Sequence, residues 1–172
     1  MKPILAIDPG NIQSAYCLID PEGYKPLEFA KRDNELVRRV VKLYCASKRC
    51  EHVVIELIGH YGTGMPAGQT VFDTCIEIGR LVEIVQERGT AISTCKRPGI
   101  KAHLCGTPKA KDSNVIQALK DRFGDKGTKK NPGHFYGFSK DIWQAYALGV
   151  YWIDTQKEAG RMPVQTRVVT KN

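Results

Sequence analysis

The 172-residue chain contains no apolar run near the roughly 18 residues that a membrane-spanning helix needs, so no membrane partner is expected. Its opening stretch, Met1–Asp8, is too short and too soon broken by Pro9-Gly10 to read as an export signal, and a cytoplasmic setting is expected. Six cysteines are scattered without a C-x-x-C pair, which argues against a zinc ribbon. Cys95, His103 and Cys105 are near each other in sequence, but the favoured reading is reduced cysteines buried as small apolar side chains. The glycine-rich stretch from Gly59 to Gly68 lacks the G-K-[ST] ending of a phosphate-cradling loop, so no nucleotide cofactor is expected. Neither repeats nor an obvious linker divide the chain. It reads as one domain over residues 1–158, with 159–172 as a C-terminal tail.

What is present is an ordinary globular composition, 42% apolar and 26% charged, long enough for a real core. The net charge of +8 is unevenly spread. Eleven basic residues and three acids fall between Lys96 and Lys140, so that window carries the whole excess. A concentrated basic region suggests a polyanionic partner, usually nucleic acid; a merely solvated lysine-rich face is the alternative.

Hydropathy spacing predicts strands over 4–8, 13–19 and about 25–29, then a helix begun by Asp33 or Asn34. A buried strand over 52–56, a long helix over about 69–88 and a strand over 90–95 follow. Residues 96–111 read as irregular and basic. A helix over 112–123, a mobile Gly/Lys/Pro loop over 125–137 and a last helix over about 140–157 complete the pattern. Three leading strands joined by short turns imply antiparallel pairing, and strands that follow helices imply parallel crossovers. The expected fold is α/β, a mixed five-stranded sheet with helices on both faces.

Three acids stand out by position. Asp8 and Glu56 each end an apolar strand, and Asp141 lies in the first turn of the last helix. If the first and fourth strands are parallel neighbours, Asp8 and Glu56 emerge at one edge of the sheet, where open α/β sheets place their sites. Two carboxylates so close repel each other unless a proton or cation separates them. Hard oxygen donors suit Mg²⁺ or Mn²⁺, which can activate water and stabilise the leaving oxygen of a phosphodiester. Taken singly, each acid could instead cap a turn or a helix.

The motifs resemble a known family. Ile7-Asp8-Pro9-Gly10 is similar to the opening of RuvC-type Holliday junction resolvases, and Val54-Ile55-Glu56 with its glycine-rich loop to their second motif. Ile100-Lys101 through Cys105-Gly106 to Lys109-Ala110-Lys111-Asp112 resembles their basic stretch, and Asp141-Ile142-Trp143-Gln144-Ala145-Tyr146-Ala147-Leu148 their last motif. The resemblance covers nearly the whole chain and is strongest to the small RuvC-like proteins of phages and prophages. It implies an RNase H-like fold, a homodimer, two Mg²⁺ ions (Mn²⁺ substituting) and nicking of branched DNA. It makes Asp8, Glu56 and Asp141 the catalytic metal ligands. Lys101, Lys109 and Lys111 would contact phosphate, Lys129 and Lys130 would extend the basic grip, and Tyr61 would be the loop aromatic that enters the junction. Gln144 departs from the pattern: many members carry a second acid three residues after the first, and a neutral amide is a poorer ligand, at most auxiliary. That departure favours a weakly catalytic or purely junction-binding protein as the alternative; cleavage of flaps or RNA–DNA hybrids is another.

Overall fold

A computed structural model describes residues 2–59 and 68–162. Three strands open the chain: β1 (Ile4–Asp8), β2 (Gln13–Ile19) and β3 (Pro26–Asp33). Then come α1 (Asn34–Ala46), β4 (His52–Leu57), α2 (Gln69–Glu87), β5 (Ala91–Lys96), α3 (Arg97–Cys105), α4 (Asp112–Phe123) and α5 (Ile142–Glu158). The sheet order is β3-β2-β1-β4-β5. β1 pairs antiparallel with β2 and parallel with β4, and β5 continues the parallel half. The expected mixed five-stranded sheet is therefore the one observed.

Alternation along the strands sorts the core into two layers. Leu5, Ile7, Val53 and Ile55 face α1 and α2, where Val37, Val41, Ile78, Leu81 and Val85 meet them. Ile4, Ala6, Val54, Ala15, Cys17 and Ile19 face the other way, onto α5 and the helices beside it. The α5 backbone comes so close to β1 and β2 that a Cβ on Gly149 would stand 2.3 Å from Ile19 Cδ1 and 3.2 Å from Ala6 Cβ. No helix among the described residues is long and apolar enough to cross a membrane.

Four expectations change. Residues 97–105, read as irregular, form α3: Pro98 lies in the first turn, where its missing N–H costs nothing, and Gly106 closes the helix at φ 74°. The segment after α4 is pinned and not a loose loop. Gly133 N–H donates to the Lys126 carbonyl, and Phe135 and Phe138 are fully buried against Trp143 and Tyr146. β3 runs on to Asp33, and Asp141 sits at the N-cap of α5, just before its first turn. All six cysteines are free thiols, as expected, but only Cys17, Cys45 and Cys50 are buried; Cys95 and Cys105 are partly exposed and Cys75 is exposed.

One buried carboxylate ties the α3–α5 layer together. Asp154 accepts two hydrogen bonds from Arg122 of α4 (2.6 and 2.9 Å) and one from Tyr24 in the β2–β3 turn (2.6 Å). It also meets His103 Nε2 of α3 at 2.8 Å. Burial alone would raise its pKa; the bonds from Arg122, Tyr24 and His103 outweigh that and hold it below the ordinary carboxylate value. Asp154→Ala should cost about 3 kcal/mol, the low end for breaking a buried pair because Arg122 is partly exposed. A group with a lowered folded pKa stabilises above its unfolded pKa of about 4 and loses that contribution as pH falls through the lower folded value. Urea melts at neutral and acidic pH should therefore show the wild-type and variant curves converging on acidification.

Candidate active site

The sheet register builds the site. Ile7 pairs with Ile55, so Asp8 and Glu56 stand one step beyond, side by side on strands about 4.8 Å apart. Both belong to the residue set that faces α5, because Ala6 and Val54, two positions earlier, do. The row continues outward. Asp8 pairs with Ala15, Ala15 with Lys31, and Glu56 with Cys95. The small Ala15 leaves room above it, and Lys31 Nζ reaches across the site to Asp141 at 2.5 Å. On the other side, α3 starts directly after β5 and brings Arg97 onto Glu56, one nitrogen donating to both carboxylate oxygens at 3.1 and 2.9 Å.

The turn after Asp8 is locked in place. Asn34 Nδ2 donates to the Gly10 carbonyl (2.9 Å), Ser14 Oγ donates to Asn34 Oδ1 (2.7 Å), and Gly10 N–H donates to Ser14 Oγ (3.3 Å). A Cβ on Gly10 would stand 2.3 Å from the Gln13 carbonyl oxygen, so this tight return admits no other residue unchanged. A cleft of about 270 Å³ opens above the row, lined by Asp8, Pro9, Glu56, Leu57, Ile58, Gly59 and Arg97.

Burial and the neighbouring Glu56 charge, with a further push from Asp141, drive the Asp8 carboxyl up to about 8, against the pull of Arg97 and Lys31. Burial also raises Glu56, despite the charge and hydrogen bonds of Arg97. Glu56 is 8% exposed and satisfied by Arg97, whereas Asp8 has no hydrogen bond or ion pair among the described residues. Among those residues, no group of three or more His, Cys, Asp or Glu side chains lies close enough to hold a metal ion. The donor chemistry nevertheless fits a hard divalent cation: an orphaned carboxyl beside a second one, both opening on one cleft.

The other sequence candidates fall into groups. Asp141 contributes its charge to the site but is paired with Lys31, and Gln144 is buried one turn further along α5. Lys101 is engaged with Asp112 at 3.1 Å, and Arg97 reaches the same acid at 3.4 Å. Lys109, Lys111, Lys129 and Lys130 are exposed. Tyr61 lies outside the described residues. Sequence reasoning missed Arg97 and Lys31, the two cations of the site, and the Ser14–Asn34 lock. Their common signal is the strand register, which a single sequence does not print.

The raised Asp8 carboxyl has a measurable consequence. A group that holds its proton more tightly when folded favours the fold at low pH, and that advantage is lost as pH rises from about 4 through about 8. Asp8→Asn cannot ionise, so its melting temperature should fall less than that of wild type between about pH 5 and pH 8.5, the range over which Asp8 discharges its proton. Parallel pH profiles for the two proteins would contradict this electrostatic picture.

No protein-family model and no curated protein sequence matches the chain. Solved structures do. Thermus thermophilus RuvC matches with a TM-score of 0.68 at 17% identity, over 92% of this chain and 96% of that one. T. thermophilus RuvC in complex with a Holliday junction substrate gives 0.67 at 14% identity, over 93% and 97%. The yeast mitochondrial Holliday junction resolvase Ydc2 gives 0.60 at 12% identity, over 93% and 81%. At such identities the likeness is one of fold, and it agrees with the strand order and the mixed sheet: the chain has the RNase H-like fold of RuvC.

Proposed function

We propose that the protein is a metal-dependent endonuclease that resolves branched DNA by phosphodiester hydrolysis. The observation that carries this reading is the Asp8–Glu56 pair at the carboxyl ends of adjacent parallel strands, on a fold shared with two junction resolvases. Asp8 and Glu56, with Asp141 turned from Lys31, would hold Mg²⁺ or Mn²⁺. Such ions supply a water made nucleophilic near neutral pH and charge for the leaving oxygen. The chain's own part is to keep two carboxylates dry and fixed: the Ser14–Asn34 lock holds Asp8, and burial between β1 and β5 holds Glu56. The exposed Lys109, Lys111, Lys129 and Lys130 would bind the backbone in a salt-dependent way.

Wild type should nick a mobile four-way junction when Mg²⁺ or Mn²⁺ is added. Asp8→Asn should lose more than the roughly 10–100-fold that removal of a ligand's outer partner costs. Equal activity of the two proteins would sink the assignment. A second reading, junction binding without cutting, is favoured by Gln144 and by the internal cations on Glu56 and Asp141. It requires salt-sensitive junction binding with no nicking under either ion.

A two-fold substrate suits a two-fold protein. We assign the homodimer surface to the outer face of α2, where Phe72 (55% exposed) and Ile76 (53% exposed) lie one turn apart beside exposed Cys75 and Gly79. Nothing within 4 Å would meet a Cβ on Gly79, which leaves room for a second helix to approach. The double variant Phe72→Glu, Ile76→Glu should sediment as a monomer and lose paired nicking of the junction. A wild type that sediments as a monomer at micromolar concentration would remove the assignment.

A further inference from the structure

Arg97 is the cation of the cleft lining, and neither acid-bearing strand motif accounts for it. The strand beside Glu56 delivers it. Glu56 pairs with Cys95 and Leu57 with Lys96, and Arg97 is the next residue, at the start of α3. Its contacts with the two Glu56 oxygens are short (3.1 and 2.9 Å), while its reach to Asp112 is long (3.4 Å) and that acid is already held by Lys101 (3.1 Å). A guanidinium stays charged in any protein setting, so it neutralises Glu56 permanently unless it moves. A divalent cation at Asp8 and Glu56 contends for the same two oxygens. With 24% of its side chain exposed at the cleft, Arg97 has somewhere else to go, and its forked geometry matches a phosphate as well as a carboxylate.

The geometry points to Arg97 as the resident counter-cation of Glu56, which competes with divalent metal for that carboxylate and is drawn off it by a phosphate of the bound strand. DNA and metal then raise each other's affinity, as linkage requires of any two ligands that share such a device. This rests on the reading of Asp8 and Glu56 as metal ligands. In the free protein Arg97 keeps the acids compatible and the metal site weak. On DNA the guanidinium takes phosphate and leaves Glu56 to the metal, so the site loads where the substrate is.

Titration with Mn²⁺, following the electron paramagnetic resonance signal of the free ion, tests this without relying on turnover. In the absence of DNA, Arg97→Gln should bind Mn²⁺ about tenfold more tightly than wild type, within the ordinary range of coupling between sites. Arg97→Lys keeps the charge but loses the fork and should fall between; it also serves if Arg97→Gln folds poorly. Lys42→Gln, an exposed charge on α1, controls for net charge and should match wild type. A four-way junction should tighten Mn²⁺ binding by wild type and not by Arg97→Gln. Wild-type affinity in both Arg97 variants overturns the proposal and leaves the metal reading standing. No saturable Mn²⁺ binding by any of the proteins, or undiminished binding by Asp8→Asn, overturns the metal reading and this proposal with it.

Discussion

Two carboxylates that point the same way from neighbouring parallel strands cannot both be charged in a half-buried cleft unless a cation joins them. The parallel register of β1 and β4 imposes that constraint on Asp8 and Glu56, and the surrounding side chains answer it. Arg97 arrives from the start of α3, directly after β5, and Lys31 from β3 on the other side. Each takes one acid, Glu56 and Asp141, which leaves Asp8 at the centre as the carboxyl without a partner among the described residues. A central acid held up to about 8 by burial and a like charge is the kind of perturbed group that marks a candidate functional site.

The scaffold keeps this unfavourable arrangement from relaxing. α5 runs from the site, where Asp141 begins it, to the Asp154 cluster near its other end, about 20 Å away at 1.5 Å per residue. At that end Arg122, Tyr24 and His103 converge on one carboxylate. Between the two ends, Gly149 lets the helix backbone settle on Ile19 and Ala6 without a gap. A helix seated that closely and clamped at one end has little freedom to carry its first residue away from the sheet edge. The satisfied end thus holds the repulsive end in place, a division of labour often found where stability is given up for a site.

Much of this was legible in the order of residues. Apolar runs ending in Asp8 and Glu56 located the strands and the acids, and short turns against helical crossovers set the mixed pairing. α3 was not legible because Pro98-Gly99 reads as a breaker and the helix buries only Ile100 fully, so no apolar stripe announces it. The 125–137 segment looked loose from its glycines and lysines; Phe135 and Phe138, which pin the chain leading into α5, pack on each other, on Trp143 just ahead and on the distant Phe29. Arg97 and Lys31 were hidden for a related reason. As single residues each is one more surface cation, and only the lateral row Lys31, Ala15, Asp8, Glu56, Cys95, with Arg97 two residues past Cys95 at the start of α3, shows them converging on the acids.

That row also gives Gln144 a physical meaning. Arg97 faces Glu56, Lys31 faces Asp141 and Asp8 holds its proton up to about 8, so the site carries little net negative charge, and the buried amide of Gln144 adds none. If it is the proposed metal site, a site so nearly neutral would hold a divalent ion weakly as long as its own cations stay. Lys31 and Arg97 are long, partly exposed and suited to phosphate oxygens. A polyanion entering the cleft would therefore do more than present a bond for cleavage. By drawing the two cations onto its backbone it would return to the carboxylates the negative charge that the amide does not supply.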